Sequence, residues 1–548
     1  MTTGQETRRR AAGWTGASLT QKFLVITMLL TGVRIGALFF SDINLGPDET
    51  QYWYWAQTPA FGYFSKPPLI AWAIAATTAL FGDAPWAVRL ISPIAQSVAA
   101  VFIFATGCRL FDEKTGFWSG AIWLTLPGVF LSSMLITTDA LLLACWTAAI
   151  YFTTRLMQAG ALRPQTKLGS GTFDRQQSAL KVWALAAGLG CALGFAFLAK
   201  YAAIYFPLCL GLAFVFARAR LPLGALFAAA IVALFLIAPN LVWNANNGFQ
   251  TVSHTAANAN WGGSLFHPAA LGDFIIGQFG VFGPIGFALF IFGAVQTIRT
   301  GGAPMDQTTV MGAPEKSAEE KFANKKYAEE GASASFPKPF NAYIFLLCFS
   351  APPIIIISVQ SFISRAHANW AAVAYPAAAI LVAGLAVRAA SQKWLKASIG
   401  LHFAVGVSAI IAVSNFGLVD KAGFSNAIKR VRGWEAQGEA IIKASEGYDI
   451  ILGDDREVLG GLLYYARGAN TEFRAWDSND LIDHHYEAFM ALDPYTKGRI
   501  LYVTTFENGD PLINRFRVID PQGVIVADLK RGRERRLHLF DVRDFIDE

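Results

Sequence analysis

The chain has 548 residues, 54% of them hydrophobic and only 15% charged, against about 25% charged in an ordinary soluble protein. That composition excludes a water-soluble globular enzyme and describes a polytopic membrane protein. The formal net charge of +6 is modest and sits in loops, which speaks for orientation in a bilayer and against nucleic-acid binding.

Arg8, Arg9 and Arg10 precede an apolar run from Phe23 to Phe40. With no convincing small-residue cleavage site, the run reads as an uncleaved first span. A crossing needs about 20 apolar residues. That length predicts about eleven spans, near 22–40, 86–110, 117–136, 140–157, 182–199, 201–217, 222–243, 273–298, 340–359, 371–387 and 397–418. Pro67 to Phe81 is apolar but too short, and it reads as an interfacial or half-inserted helix. The expected cytoplasmic loops carry Arg109, Lys114, Arg155, Arg163, Lys167, Arg218, Arg220, Arg299, Lys316, Arg388 and Lys393. They share a side with the N-terminal arginines, as the positive-inside rule requires.

Three regions read as extramembrane: a cytoplasmic tail 1–21, a cytoplasmic insertion 300–339 and a C-terminal domain 420–548. The last holds 23 of the chain's 39 acids. Strand-like Asp449–Gly453, Arg499–Thr505 and Val524–Leu529, with helical Glu457–Arg467, make it a small α/β domain outside the cell membrane. The membrane part is then 22–419, with its first outer loop at 41–85. The five cysteines, Cys108, Cys145, Cys191, Cys209 and Cys348, all lie in apolar runs and read as small buried hydrophobes.

Counting crossings gathers the chemistry on one face. Asp48 and Glu49 follow the first span, and Lys66 shares their loop. Asp139, Lys200 with Tyr201, the loop 244–271 with His254, and Arg365 with His367 return to the same outer side. Each has a plain structural reading. Asp48 and Asp139 suit helix N-termini, Tyr52–Trp55 suits an aromatic belt, and Lys66 and Lys200 suit snorkelling to lipid phosphate. The functional reading joins Lys66, Lys200 and Arg365 into an anion clamp facing a carboxylate. Tyr52, one turn from Asp48, is the ring placed to face it. His254 and His367 have no metal-type spacing.

Pro47-Asp48-Glu49 with Tyr52, Lys66-Pro67-Pro68, Leu80-Phe81-Gly82 with Arg89, Asp139, Leu198-Ala199-Lys200-Tyr201, Pro239–Asn244 and Asn369-Trp370 follow one another in a recognisable order. In these features the chain resembles the GT-C membrane glycosyltransferases, in the branch of protein O-mannosyltransferases and lipid A aminoarabinose transferases. The resemblance implies an inverting transferase on the periplasmic face of the bacterial inner membrane. It would move a sugar from a polyprenyl-phosphate donor to lipid A, lipopolysaccharide core or another envelope acceptor. A protein acceptor, or a flippase for a lipid-linked sugar, is the alternative.

Under that resemblance Asp48 is the base, and Glu49 and Asp139 orient the acceptor, Asp48 or a divalent metal ion. Lys66, Lys200 and Arg365 would bind the donor phosphate, with Tyr52, Tyr201, His254 and His367 around the substrate. The aminoarabinose transferases carry an acid just before the Lys-Pro pair, where this chain has Ser65. A metal ligand is therefore not carried over to that position. Galacturonic acid becomes a rival sugar, its carboxylate received by Arg365 or His367.

Overall fold

The computed structural model describes residues 17–161, 172–261, 265–302 and 340–546, apart from 478, 480, 494 and 497. The N-terminal arginines, Arg163, Lys167, Lys316 and most of the expected 300–339 insertion lie outside the described residues. The chain divides into two compact units: one of residues 1–36, 92–242 and 256–408, the other of 37–91, 243–255 and 409–548.

Among the described residues, eight helices are long and apolar enough to cross a bilayer, or up to ten if each of two bent pairs is one span. The fold is thus a multi-span helical membrane protein with a small sheet near its C-terminus. Three expected spans take other shapes. The 117–136 run is broken by Pro127 into Glu113–Thr125 and Pro127–Met134, bent by 54°, because proline removes an amide donor from the helix. The 201–217 run is a 3-10 turn, Tyr201–Ile204, leading into the shorter helix Tyr205–Phe216. The 273–298 run is two helices, Pro268–Val281 and Pro284–Arg299, at 109°. Leu69–Phe81 is a helix of 13 residues. At about 1.5 Å per residue it falls well short of a bilayer core of about 30 Å.

Within the first unit, small residues set how closely helices approach. A Cβ on Gly190 would lie 2.5 Å from the Ala229 carbonyl oxygen, and one on Gly194 would lie 2.8 Å from Leu236 Cδ1. This four-residue glycine spacing lets two apolar helices pack backbone to side chain, as small residues do where the surroundings are lipid.

In the second unit the C-terminal residues form a five-stranded sheet of order β2-β1-β3-β5-β4. The strands are β1 Ile450–Gly453, β2 Glu472–Ala475, β3 Ile500–Thr504, β4 Phe516–Lys530 and β5 Arg533–Phe545. β1 pairs in parallel with β2 and β3, while β5 runs antiparallel to β3 and β4. Alternate residues serve opposite faces. Ile451, Leu501, Val503, Leu537 and Leu539 pack beneath Trp434, Ile441 and Leu462, whereas Leu452, Tyr502, Phe540 and Val542 pack with Trp476, Leu512 and Phe516.

The aromatic run Tyr52–Trp55, on helix Pro47–Gln57, also belongs to this unit. Trp53 meets Tyr464 edge-on at 4.9 Å, Tyr54 meets Tyr486 at 5.7 Å, and Trp55 stacks on Tyr63 at 4.7 Å. Tyr52, Trp53 and Trp55 are each 5% exposed or less, so these rings serve as protein core in place of the expected interfacial belt.

Gly283 occupies the sharp bend between its two helices at φ +78°, ψ 145°, a region nearly reserved for glycine. A Cβ there would lie 1.9 Å from His402 Nε2. Gly283→Ala should therefore destabilise the fold by at least about 2 kcal/mol. Thermal unfolding in detergent should show a lower midpoint and a smaller folded yield, while Gly280→Ala, with open space at its Cβ, should match the parent.

Candidate active site

The expected site residues fall into two polar groups, one in each unit. In the second unit everything begins with Glu49. It is 5% exposed and forms a bidentate pair with the equally buried Arg89, at 2.7 Å from Nε and 2.6 Å from Nη2. Its Oε2 also accepts the Gly46 amide at 2.9 Å, closing the first turn of helix Pro47–Gln57. Arg89 also donates to the Ile43 and Asn44 carbonyls, both at 3.0 Å. Both Glu49 oxygens are thus committed to anchoring the loop and helix that carry Asp48.

Asp48 lies in the first turn of that helix and points the other way, with 65% of its side chain open. Its carboxylate pairs with Arg456, whose Nε also donates to Gln51 Oε1 at 2.5 Å. Burial among the surrounding groups pushes the Asp48 carboxyl up. The charge and hydrogen bond of Arg456 outweigh that, with help from Lys66 and Arg430, and hold it below the usual carboxylate range.

Lys66 and His254 belong to the same electrostatic neighbourhood. His254 packs edge-on against Phe64 at 5.4 Å, and its helix is tied to the Lys66 loop by Thr251 donating to the Tyr63 carbonyl at 2.6 Å. Burial first, then the Lys66 and Arg456 charges, push His254 down to about 4, against the opposing pull of Asp48. The imidazole is therefore neutral near pH 7. The second unit thus brings together Asp48, Lys66 and His254 as expected, and adds Arg456.

Arg456 had no signal in the sequence. It is 408 positions from Asp48, in a domain with no recognised motif. The one visible clue is its place after Gly453-Asp454-Asp455, where a buried strand hands over to a helix. Asp455 caps that helix by accepting the Val458 amide at 2.9 Å, which puts Arg456 at the exposed start of the helix.

In the first unit, Asp139 is 6% exposed and held on both sides. Lys200 Nζ donates to Oδ1 and Asn369 Nδ2 donates to Oδ2, each at 2.7 Å. Tyr201 donates to the buried Asn240 at 2.9 Å. Arg365 and His367 are exposed outside this hydrogen-bonded group, His367 lying edge-on to Trp370 at 5.7 Å. Among the described residues, no three His, Cys, Asp or Glu side chains converge in a way that could hold a metal ion.

Replacing Lys200 by Met would leave Asp139 buried with one neutral donor. The expected loss is about 1–3 kcal/mol, seen as a lower unfolding midpoint in detergent. Adding Asp139→Asn should recover most of it, because the stranded charge is then gone.

Comparison with known proteins identifies the family and the fold. A family model described as dolichyl-phosphate-mannose-protein mannosyltransferase matches residues 65–243. The lipid A galacturonosyltransferase RgtD of Rhizobium johnstonii is 30% identical over 493 residues, covering 88% of this chain and 90% of that protein. Crystal structures of ArnT from Cupriavidus metallidurans, apo and bound to undecaprenyl phosphate, superimpose with a TM-score of 0.56 in each case. They cover 97% of this chain and 98% of theirs, at 14% and 15% identity, and so share the fold. With an end-to-end relative at that identity, the chain belongs to the GT-C membrane glycosyltransferases.

Proposed function

We propose that this protein transfers a sugar, galacturonic acid in the first instance, from a polyprenyl-phosphate donor to lipid A. The observation that carries the reading is the end-to-end relationship to a lipid A galacturonosyltransferase. The ArnT structure with undecaprenyl phosphate supports the carrier. We place the protein in the bacterial inner membrane with its N-terminus cytoplasmic, and the 420–548 domain and chemistry on the periplasmic side. The match of residues 65–243 to a protein mannosyltransferase family favours a protein acceptor as the second reading.

In the proposed step the acceptor oxygen attacks C1 of the sugar from the face opposite the phosphate. The acceptor proton passes to Asp48, the C1–O bond to phosphate breaks, and the carrier phosphate leaves with the electron pair, inverting C1. An acceptor that is already anionic needs no proton removed, and Asp48 then orients it. A positioned base contributes about 10²–10⁴ in rate.

Lys66 is the cation of the Asp48 group suited to the charge growing on the leaving phosphate. Neutral His254 and Tyr52 shape that group, and Glu49 acts on it only by positioning Asp48. Within the first unit, Lys200 beside Asp139, with Tyr201 and the exposed Arg365 and His367, forms its own set of candidate substrate-binding residues.

In proteoliposomes holding purified lipid A and a polyprenyl-phosphate galacturonic acid, wild type should form product. Asp48→Asn should lose about 10²-fold or more while unfolding at the parent's midpoint. Turnover by that variant at the wild-type rate would remove Asp48 from the reaction. Arg456, Lys66 and Arg430 hold Asp48 ionised in the presence of neutral His254. The acid limb of kcat/KM, which reports the free enzyme, should therefore lie below the range of an ordinary carboxylate. The rate is retained above that limb and lost as pH falls through it.

A further inference from the structure

Beyond the residues that the family resemblance supplies, the sheet of the second unit brings its own chemistry to Asp48. The parallel strands β2, β1 and β3 end on the same side, and in open α/β sheets such carboxyl ends are where ligands bind. β1 ends in Gly453-Asp454-Asp455-Arg456. Asp454 is fastened there by Tyr502 at 2.7 Å and Thr504 at 3.0 Å, and Asp455 caps the following helix. That helix approaches the Asp48 helix so closely that a Cβ on Gly460 would lie 2.9 Å from Thr50 Oγ1. The result is a rigid mount that aims one guanidinium at the proposed base.

We propose that Arg456 is the specificity residue for an acidic sugar, exchanging its partner from the Asp48 carboxylate to the carboxylate of a bound uronic acid. The inference rests on the transferase reading above. Three features of the structure carry it.

A uronate carboxylate offers Arg456 Nη2 the same kind of charged oxygen acceptor as Asp48 Oδ1 does, with Nε still donating to Gln51, so the exchange replaces one charge-assisted hydrogen bond by another. Arg456 keeps 38% of its side chain open and Asp48 keeps 65%, so a substrate can reach the pair from solvent. Finally, a uronate carboxylate is attached to C5, one ring oxygen away from C1. A receptor for it must therefore stand beside the base that works at C1, which is where Arg456 stands. Gln51, the second acceptor on Arg456 at 2.5 Å, holds the guanidinium in place as Asp48 leaves it.

The exchange also couples recognition to reaction. While Arg456 is paired with Asp48, the carboxylate is a weak base. A uronate that draws Arg456 away restores its basicity at the moment the sugar is in place, whereas a neutral hexose leaves the pair intact.

The test is an internal competition in proteoliposomes between polyprenyl-phosphate galacturonic acid and polyprenyl-phosphate galactose, with the same carrier and lipid A acceptor. The ratio of the two products does not depend on how much of a variant is folded. Wild type should favour the acidic donor, and Arg456→Ala should reduce that preference by about 10²-fold. Arg456→Lys, which keeps the charge and loses the fork, should fall between them. An unchanged ratio in Arg456→Ala would overturn the role of Arg456 while leaving the transferase reading in place. No transfer from either donor by wild type would overturn both.

Discussion

The buried pair between Glu49 and Arg89 is the contact on which the rest of the second unit depends. Two charges removed from water are tolerable only when their geometry is good and further hydrogen bonds satisfy them, and here both Glu49 oxygens and all three Arg89 nitrogens are engaged. Glu49 takes two guanidinium donors and an amide, while Arg89 also satisfies the Ile43 and Asn44 carbonyls. The loop so fixed is read again from its other side, where Asn44 accepts the Trp434 amide and its own amide donates to the Val431 carbonyl. Leu45 donates to the Tyr465 hydroxyl at 2.6 Å. One ion pair thereby orders a loop, starts a helix and seats the C-terminal sheet against both.

This arrangement explains why two adjacent carboxylates have opposite fates. In the first turn of a helix, successive residues point about 100° apart, so Glu49 enters the core as Asp48 leaves it. Glu49 is satisfied within the protein by Arg89 and the Gly46 amide. Asp48 is held by cations at a site that solvent can reach, the setting a base or an orienting group requires. The first unit repeats the pattern with a single carboxylate, Asp139, braced between Lys200 and Asn369.

Much of this was legible in the amino-acid sequence, and the limits are physical. Apolar length located most of the helices, and the chemistry of Asp48-Glu49, Lys66 and Asp139-Lys200 stood out because charge at a span end is rare. The bend at Gly283 was hidden because two short apolar helices have the composition of one long span. Strand β5 was hidden by Arg533, Arg535, Arg536 and Arg543, which interrupt the alternation of its buried Leu537, Leu539 and Val542. Arg456 was the deepest omission. Its meaning comes from a contact across 408 residues, and nothing in local periodicity encodes that. The aromatic run Tyr52–Trp55 was misread in kind, because rings suited to a bilayer interface are equally suited to a protein core.

Delivery of an acidic sugar to lipid A is the activity we propose for this GT-C chain. Mass spectrometry of lipid A from cells with and without the gene tests it most directly. A hexuronate-bearing species should disappear with the gene and return with the wild-type chain but not with Asp48→Asn. Identical lipid A spectra in the two strains, with the protein present in the membrane of the first, would contradict it.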